Sequence, residues 1–496
     1  MEYDAILSVL PPYSVNTPSL NISLLHSFLS LKGLNIYTVD FSPGFYYNHL
    51  NDFLIENPFT FNVPIFPLLG YALWYFNSED YFNIDKIGKY ILKSLSPVHF
   101  DIYSPIFEKI RTKIPKFLKI LRRYSEYLIS IETNTYCFSI NITNVIPTLE
   151  IIKNIKNVKP DSNVILGGPE VFQIYRCDLY TYLDTIDYVI YHNEGEIPLY
   201  LLLKTLKDDE NPSKVPGISV KRNHDIYKTN PPRFVDINSI PKISYDQIIY
   251  FDFKFSDFNK LELLTTKGCP SHCLFCNEPN IWAQFVSKKP SILVDEIKYY
   301  IDKYNIRNFE ITDNAFNNTN NLLKALETLQ KEGYIINFGG NCKISNMSKE
   351  TLKNYKDLGL KYCFLGIESA SENILKLMRK NISLKYASDL IKMASKFDIN
   401  VLIYLIIGFP QEYERDFELT CNFVSENKDY IEDICVSVFT LMNKSPIFYS
   451  NLLKPIQLGP KILNCFDYQT FDGIDHKIRA ERLLRIKNLW ASLKNH

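Results

Sequence analysis

The chain has 496 residues and 46% of them are hydrophobic, so it is long enough for two or three domains and has too much apolar content for a disordered protein. Its 55 Lys and Arg residues balance its 55 Asp and Glu residues, and nucleic-acid binding would require a basic excess. The N-terminus lacks the basic start and apolar core of a signal peptide. With ten scattered cysteines, this predicts a reducing, cytoplasmic location.

Strands and helices alternate over residues 1–210, which predicts a parallel, doubly wound α/β sheet. The predicted strands are 5–10, 35–41, 136–141, 164–168 and 188–196. An aromatic-rich, mostly helical insertion occupies about 44–130. Its uncharged stretch 57–78 is strongly apolar, but prolines break its first half, so we expect a buried element, the alternatives being an interfacial contact or a membrane span. Its basic end predicts the solvated face of a helix, the alternative being a site for an acidic peptide or a membrane surface.

A second alternation follows a Pro-, Asn- and Asp-rich segment, 211–250, that predicts a hairpin and a linker. Over 251–440 the candidate strands are 261–266, 308–313, 336–341, 362–367, 401–408 and 434–439. Six strand–helix units predict a partial parallel (β/α)6 barrel, in which functional residues lie at the carboxyl ends of the strands. The Lys-rich tail, 441–496, is predicted to end in a helix.

Three cysteines follow the first barrel strand with C-x3-C-x2-C spacing: Cys269, Cys273 and Cys276. Three thiolates can bind three irons of a [4Fe–4S] cubane and leave the fourth iron open for a substrate. A zinc site would need a fourth ligand at regular spacing, and His272 inside the loop has no outer partner. A disulfide does not suit a reducing compartment. The other cysteines are interpreted as small core residues.

The segment TTKGCPSHCLFCNEP (265–279) resembles the C-x3-C-x-aromatic-C signature of the radical S-adenosylmethionine (SAM) superfamily. The resemblance extends over about 255–440 through GIESAS (366–371) and GFPQE (408–412). It implies an enzyme whose cluster binds SAM at the open iron and, once reduced, cleaves it to a 5′-deoxyadenosyl radical. It also implies an external electron donor such as flavodoxin or ferredoxin.

The same resemblance implies which residues contact SAM, although it identifies no catalytic acid or base. Lys343 stands where relatives often carry Arg, and Lys380 has the usual family position after the fourth strand. From the residues alone, some of the implied contacts have structural alternatives as a helix N-cap, a structural acid or a turn. The implied contacts are Phe275 beside the adenine, and Asp313, Asn314, Glu368, Ser369, Gly408 and Pro410.

Residues 5–200 resemble the cobalamin-binding domain that precedes many radical SAM barrels, through FSIN (138–141), VILGGPE (164–170) and NEGE (193–196). The resemblance implies a cobalamin at the carboxyl edge of the sheet. Glycines there let the backbone approach a ligand, the alternative being that they only make a tight turn. The D-x-H-x-x-G motif is absent and His26 does not replace it, so cobalamin is expected without a protein histidine. The implied contacts are Ser139, Asn141, Gly167 and Gly168.

The function implied is a cobalamin-dependent methyltransferase that acts on an unactivated carbon of a small molecule or peptide. The substrate carbon would have to reach both cofactors, so the two strand-end edges are expected to face one cavity. One alternative keeps the fold but performs rearrangement, cyclisation or oxidation, and another is a non-catalytic sensor of SAM or cobalamin. A methylthiotransferase is disfavoured, because it needs three further N-terminal cysteines and only Cys137 and Cys177 are there.

Overall fold

The computed structural model describes residues 2–11, 16–49, 51–53, 111–141, 143–173, 183–222, 225–232, 234–282, 284–443, 445–458 and 465–494. The described residues divide into two compact units: the first extends to Phe258 and also includes residues 457, 458 and 465, and the second runs from Asn259 to Ile456 and resumes at Phe466. Most of the predicted insertion, including its apolar stretch 57–78, and Cys177 lie outside the described residues. No helix in the described ranges is both long and apolar enough to cross a membrane.

The first unit is an α/β sheet flanked by helices. Its strands are β1 (Ala5–Val9), β2 (Ile36–Asp40), β3 (Thr135–Ser139), β4 (Asn163–Gly167), β5 (Tyr188–Ile190), β6 (Ile218–Arg222), β7 (Asp225–Lys228) and β8 (Ile248–Tyr250). Its helices are α1 (Leu20–Leu31), α2 (Ser42–His49), α3 (Ile114–Ser130), α4 (Val145–Val158), α5 (Pro169–Gln173) and α6 (Glu196–Lys207). The described strands are ordered β7-β6-β5-β4-β3-β1-β2-β8.

Neighbouring strands from β5 through β4, β3, β1 and β2 to β8 are parallel, which confirms the predicted parallel α/β sheet. The hairpin of β6 and β7 extends this sheet with antiparallel pairs. Residues 248–250, assigned to the linker from sequence, instead form the edge strand β8. On one face of the sheet α1 and α6 pack against β1 in a common apolar core. Because the central strands are buried, they have the apolar runs of a parallel sheet.

The second unit contains a parallel sheet with helices between its strands. The strands are β9 (Lys260–Leu263), β10 (Thr266–Lys267), β11 (Val286–Ser287), β12 (Asn308–Ile311), β13 (Asn337–Cys342), β14 (Leu360–Glu368), β15 (Asn400–Ile407), β16 (Asp433–Val438), β17 (Leu453–Leu458) and β18 (Cys465–Thr470). The helices are α7 (Glu278–Ile281), α8 (Pro290–Tyr304), α9 (Asn321–Lys331), α10 (Lys349–Asp357), α11 (Glu372–Leu377), α12 (Leu384–Lys396), α13 (Glu414–Glu426) and α14 (His476–Lys494).

The main sheet of this unit has, in the described residues, six strands in the order β16-β15-β14-β13-β12-β9, and each pair is parallel. Sequential order with a helix after each strand confirms the predicted partial barrel. Along β15, buried residues alternate with half-buried ones, so one face packs on helices and the other lines the barrel interior. The tail contains the two-stranded ladder of β17 and β18 as well as the predicted helix, α14.

Candidate iron–sulfur and cofactor sites

The three motif cysteines lie on a loop that is closed at its base by a short antiparallel ladder. Strand β10 pairs with β11, and Lys267 lies opposite Val286. The residues between the two strands therefore form a single loop. Gly268 begins it with a φ of 81°, and a Cβ there would lie 2.7 Å from the carbonyl oxygen of Gln284. Glycine is therefore required where the loop starts. The segment 268–285 is called the cluster loop below.

The thiols of Cys269, Cys273 and Cys276 are all half-buried, and none forms a disulfide. Burial raises the pKa of Cys276 to about 12 and also raises the pKa of Cys273. A nucleophilic cysteine requires a lowered pKa, so Cys273 and Cys276 do not suit covalent catalysis, whereas a bound metal deprotonates its thiol ligands. Within the described ranges, no three His, Cys, Asp or Glu side chains converge on a single-ion site. Thiolates that each bind a different iron of a cubane need not converge, so the donor set fits a [4Fe–4S] cluster.

The first anchor of the cluster loop is the carboxylate of Asp313, just beyond the end of β12. This side chain is 2% exposed and accepts hydrogen bonds from the backbone N–H groups of Thr265 and Thr266, at 2.8 and 2.9 Å, and from the Thr265 hydroxyl. The neighbouring Asn314 donates its side-chain amide to the carbonyl of Gly268 at 3.2 Å and to the Glu278 carboxylate at 2.8 Å. The two residues therefore hold the base and both flanks of the loop.

Replacing Asp313 by alanine is expected to lower the iron content of reconstituted protein, because the N–H groups of Thr265 and Thr266 would lose a buried acceptor. An unsatisfied buried group costs about 1–3 kcal/mol. Asp313→Asn keeps one acceptor oxygen and should keep most of the iron. Iron per chain and thermal unfolding measure both effects, with Asp389→Ala on the exposed face of α12 as the control. Full iron content in Asp313→Ala would contradict the anchoring role.

The second feature near the thiols is a buried ion pair at the end of β14. Glu368 has a φ of 66°, in the left-handed region that is unusual for a residue with a side chain, and strained backbone of this kind concentrates at functional sites. Its carboxylate accepts a hydrogen bond from the Lys380 ammonium at 2.8 Å. A Cβ on Gly366 would lie 2.4 Å from that carboxylate and 2.7 Å from the ammonium, so this glycine makes room for the pair.

Charges on four residues influence the pKa of the Cys273 thiol: those of Lys380 and Lys343 oppose the rise that burial causes, and those of Glu368 and Cys269 add to it. Burial acts to lower the pKa of Lys380, but Glu368, followed by the cluster-loop cysteines, raises it overall. The structure thus places Glu368, Lys343 and Lys380 close enough to the cluster loop for their charges to influence the pKa of Cys273.

The remaining residues expected to contact SAM are engaged in the packing of the second unit. Ser369 is fully buried, accepts from the Ser371 N–H at 3.2 Å and faces Thr420. Phe275 packs against an apolar cluster that includes Leu274 and Phe409. Pro410 is buried and follows Gly408 by two positions. A SAM contact by any of these residues stays a prediction.

Sequence reasoning missed how the C-terminal helix holds the GFPQE turn. Gly408 has a φ of 74°, and its carbonyl accepts from Arg479, whose Cγ would lie 2.4 Å from a Cβ at this glycine. Arg482 forms an ion pair with the fully buried Glu412 at 3.2 Å. Burial raises the pKa of Glu412 to about 7, opposed by the Gly408 N–H and by Arg482. Because these contacts span some seventy positions, no local pattern reveals them.

In the first unit, the residues expected at a cobalamin site lie together at the ends of β3 and β4. Ser139 pairs in register with Gly167, and Gly168 follows with a φ of 104°. A Cβ on Gly168 would lie 2.5 Å from the carbonyl oxygen of Ile140, whereas among the described residues one on Gly167 would meet only the Cβ of Ile190, at 3.8 Å. The fold therefore requires glycine at 168, while the described part of the chain leaves space beside residue 167.

Asn141 has a structural task at the same edge. Its side-chain oxygen accepts from the N–H and hydroxyl of Thr143 and from the Asn144 N–H, which fixes the turn that precedes α4. The buried Asn144, which sequence reasoning missed, donates to the carbonyls of Leu10 and Ser139 and so ties the ends of β1 and β3 together. A cobalamin contact by Asn141 stays a prediction.

The His26 ring is buried and bonded on both nitrogens. Its Nδ1 lies 2.8 Å from the Thr38 hydroxyl, and its Nε2 lies 3.0 Å from the side-chain oxygen of Gln247. Burial lowers the pKa of His26. This histidine is a structural core residue, in keeping with the expectation that it supplies no ligand to cobalamin.

Comparisons with known proteins agree with the architecture of both units. A sequence model described as the radical SAM superfamily matches residues 263–424. An uncharacterized methyltransferase of Pyrococcus horikoshii is 25% identical over 339 residues, which cover 66% of this chain and 69% of that protein. The anaerobic magnesium-protoporphyrin IX monomethyl ester cyclase of Synechocystis is 22% identical over 263 residues, and the match spans about half of each protein, 52%.

Among solved structures, the radical SAM methyltransferase TsrM from Kitasatospora setae, with cobalamin and a [4Fe–4S] cluster bound, superposes with a TM-score of 0.62. The match covers 97% of this chain and 85% of that chain at 13% identity, and so concerns the fold alone. The matched region contains the cysteine motif, the anchored loop and the barrel strands β12 to β15. Residues 263–424 therefore match the radical SAM superfamily.

Proposed function

We propose that this chain is a cobalamin-dependent radical SAM methyltransferase that acts on an unactivated carbon of a small molecule or peptide. The observation that carries the proposal is the cluster loop, an anchored loop that holds three half-buried thiols beside the Glu368–Lys380 ion pair. Cys269, Cys273 and Cys276 would hold the [4Fe–4S] cluster. When bound and reduced, such a cluster supplies the electron that cleaves SAM.

The side chains around the cluster loop suit the polar end of SAM. Lys343 has no ion-pair partner among the described residues, and its backbone is fixed by two hydrogen bonds with the Asn317 side chain, at 2.7 and 2.8 Å. Its ammonium would bind the carboxylate of SAM, and the Glu368 carboxylate would accept a hydrogen bond from the amino group or the ribose. Positions fixed in this way hold a substrate in one orientation with little loss of entropy on binding.

The first unit supplies the support for cobalamin. Open sheets bind flat cofactors at the carboxyl ends of their strands, where this chain has Ser139 and the space beside Gly167. His26 is bonded on both ring nitrogens, so the cofactor would bind without it as a lower ligand. The TsrM structure, with cobalamin bound in a protein of the same fold, adds to this support.

A second candidate function is rearrangement or cyclisation without methyl transfer. The specific observation in its favour is the similarity to a protein named as a monomethyl ester cyclase. Both candidates use the cluster to cleave SAM, and they differ in the fate of the SAM methyl group. A measurement of the two products of SAM therefore separates them.

The experiment is to load anaerobic protein with iron, sulfide and hydroxocobalamin, add SAM and a reductant, and quantify both SAM products. Methyl transfer predicts S-adenosylhomocysteine as well as 5′-deoxyadenosine, because one SAM donates its methyl group and another is cleaved. In protein without cobalamin, only 5′-deoxyadenosine is expected. If cobalamin-loaded protein releases 5′-deoxyadenosine alone, the methyltransferase proposal fails and the second candidate takes its place.

A further inference from the structure

A groove of about 650 Å³ on the second unit reaches the cluster loop. One wall is Leu274, which lies between the cluster-loop residues Cys273 and Cys276. The other walls come from α11, from the segment after β15 and from the turn before β17. None of the roles proposed above uses this groove. The charged residues that line it are Lys376, Arg379, Arg415 and Asp416.

The charged side chains that line the groove are mostly basic. Lys376 and Arg379 are exposed, and in the described part of the chain neither has an ion-pair partner. Arg415 is 76% exposed and lies 4.0 Å from Asp416. Asp416 is itself buried, and its carboxylate accepts from the Ser371 hydroxyl and the Tyr413 N–H. Three cations therefore face solvent against one buried carboxylate.

Exposed aromatic residues border the same groove. Tyr413, which lines it, is 51% exposed, and Tyr449, next to the lining residue Ser450, is 72% exposed. Tyrosine and arginine are enriched at protein–protein interfaces, whereas small-molecule pockets are enclosed and mostly apolar. The exposed charged walls and tyrosine rim therefore favour a protein surface as the occupant.

A short connected path joins the groove to the cysteine ligands. The backbone N–H of Leu274 donates to the carbonyl of Met378 at 2.9 Å, and the carbonyl of Leu274 accepts from the Ile447 N–H at 2.9 Å. Met378 directly precedes Arg379 and follows the last residue of α11. Leu274 lines the groove and directly follows Cys273 in the sequence. Arg379 also lines the groove, and it follows the residue to which Leu274 is hydrogen-bonded. A partner bound in the groove would therefore contact residues next to this cysteine.

We propose that this groove is the docking site of an acidic one-electron carrier protein of the flavodoxin or ferredoxin type. The inference rests on the proposed cluster chemistry, in which each SAM cleavage consumes one electron. The carrier loses that electron, and SAM takes it up as its C–S bond breaks into methionine and a 5′-deoxyadenosyl radical. Positive charge steers an acidic partner to this surface, which reaches the cluster loop at Leu274.

The test compares the double variant Lys376→Glu/Arg415→Glu with the control Lys349→Glu/Lys353→Glu, which reverses two exposed charges on α10. Calorimetry measures the affinity for an oxidised acidic flavodoxin at low and high salt. Release of 5′-deoxyadenosine is measured with reduced flavodoxin and, separately, with dithionite. For the groove variant we expect the Kd and the KM for flavodoxin to rise by about tenfold or more, since like charges then face each other.

The dithionite-driven rate should be unchanged in both variants, because a small reductant does not need a docking surface. An unchanged Kd and KM in the groove variant would overturn the proposal. Equal losses with flavodoxin and dithionite would also overturn it, since the groove would then belong to the SAM site. If wild-type protein does not cleave SAM even with dithionite, the proposed function fails, and the calorimetric comparison still decides whether the groove binds the carrier.

Discussion

Protein in which Gly167 is replaced by leucine is expected to lose its cobalamin and still release 5′-deoxyadenosine at the wild-type rate. Among the described residues a Cβ at this position would meet only Ile190, at 3.8 Å, so we expect the larger side chain to extend into the space at the end of β4 without disturbing the packing. That space is where the backbone would approach the cofactor. Cobalamin retained through gel filtration, the far-ultraviolet circular dichroism and the release of 5′-deoxyadenosine measure the three parts of the prediction.

Gly168→Ala provides the contrast, because here the side chain collides with the protein itself. Its Cβ would lie 2.5 Å from the Ile140 carbonyl oxygen, in a left-handed backbone conformation that costs roughly 1–3 kcal/mol for a residue with a side chain. We expect a lower melting temperature for Gly168→Ala and an unchanged one for Gly167→Leu. Full cobalamin retention by Gly167→Leu would show that the cofactor site has been assigned to the wrong edge.

The cluster motif and the barrel strands could be predicted because their signals are local. Three cysteines in eight consecutive residues define a metal-binding loop without any knowledge of the fold. Strand β15, predicted at 401–408, was found at Asn400–Ile407, because a long apolar run with a glycine after it marks both ends. The same holds for β14, predicted at 362–367 and found at Leu360–Glu368.

Strand β8 was missed because its signal is not local. The three residues Ile248–Tyr250 follow a proline-rich segment and have no pattern of their own, and they become a strand by pairing with β2, two hundred positions earlier. The two-stranded ladder of β17 and β18 was also missed. Short edge strands depend on the tertiary partner more than on the intrinsic preference of their residues.

The sequence predicts which polar residues lie at the strand ends, but it does not predict whether they contact a ligand or the protein. Asp313 and Asn314 were expected beside SAM or as a helix N-cap, and the structure engages both with the base and flanks of the cluster loop. A carboxylate after a buried strand has the same sequence pattern whether it contacts a ligand or the backbone of a neighbouring loop. The hydrogen-bond partners that decide between the two roles lie 36 to 48 positions away.

Single replacements of Cys269, Cys273 and Cys276 by alanine are expected to have the largest effect of all the changes considered. Each would remove one iron ligand from a loop whose conformation Asp313 and Asn314 otherwise maintain, so the protein should stay folded and lose its cluster. The release of 5′-deoxyadenosine should then be abolished, because SAM cleavage has no other source of the electron at that site.

The control is Cys421→Ala, which removes a half-buried cysteine from α13, where alanine is a good helix former. The deciding measurement is the 5′-deoxyadenosine that each anaerobically reconstituted protein releases with SAM and dithionite. We predict release by the wild type and Cys421→Ala and none by the three motif variants. Undiminished release by any one of the three would contradict the assignment of these cysteines as the cluster ligands, and with it the central claim.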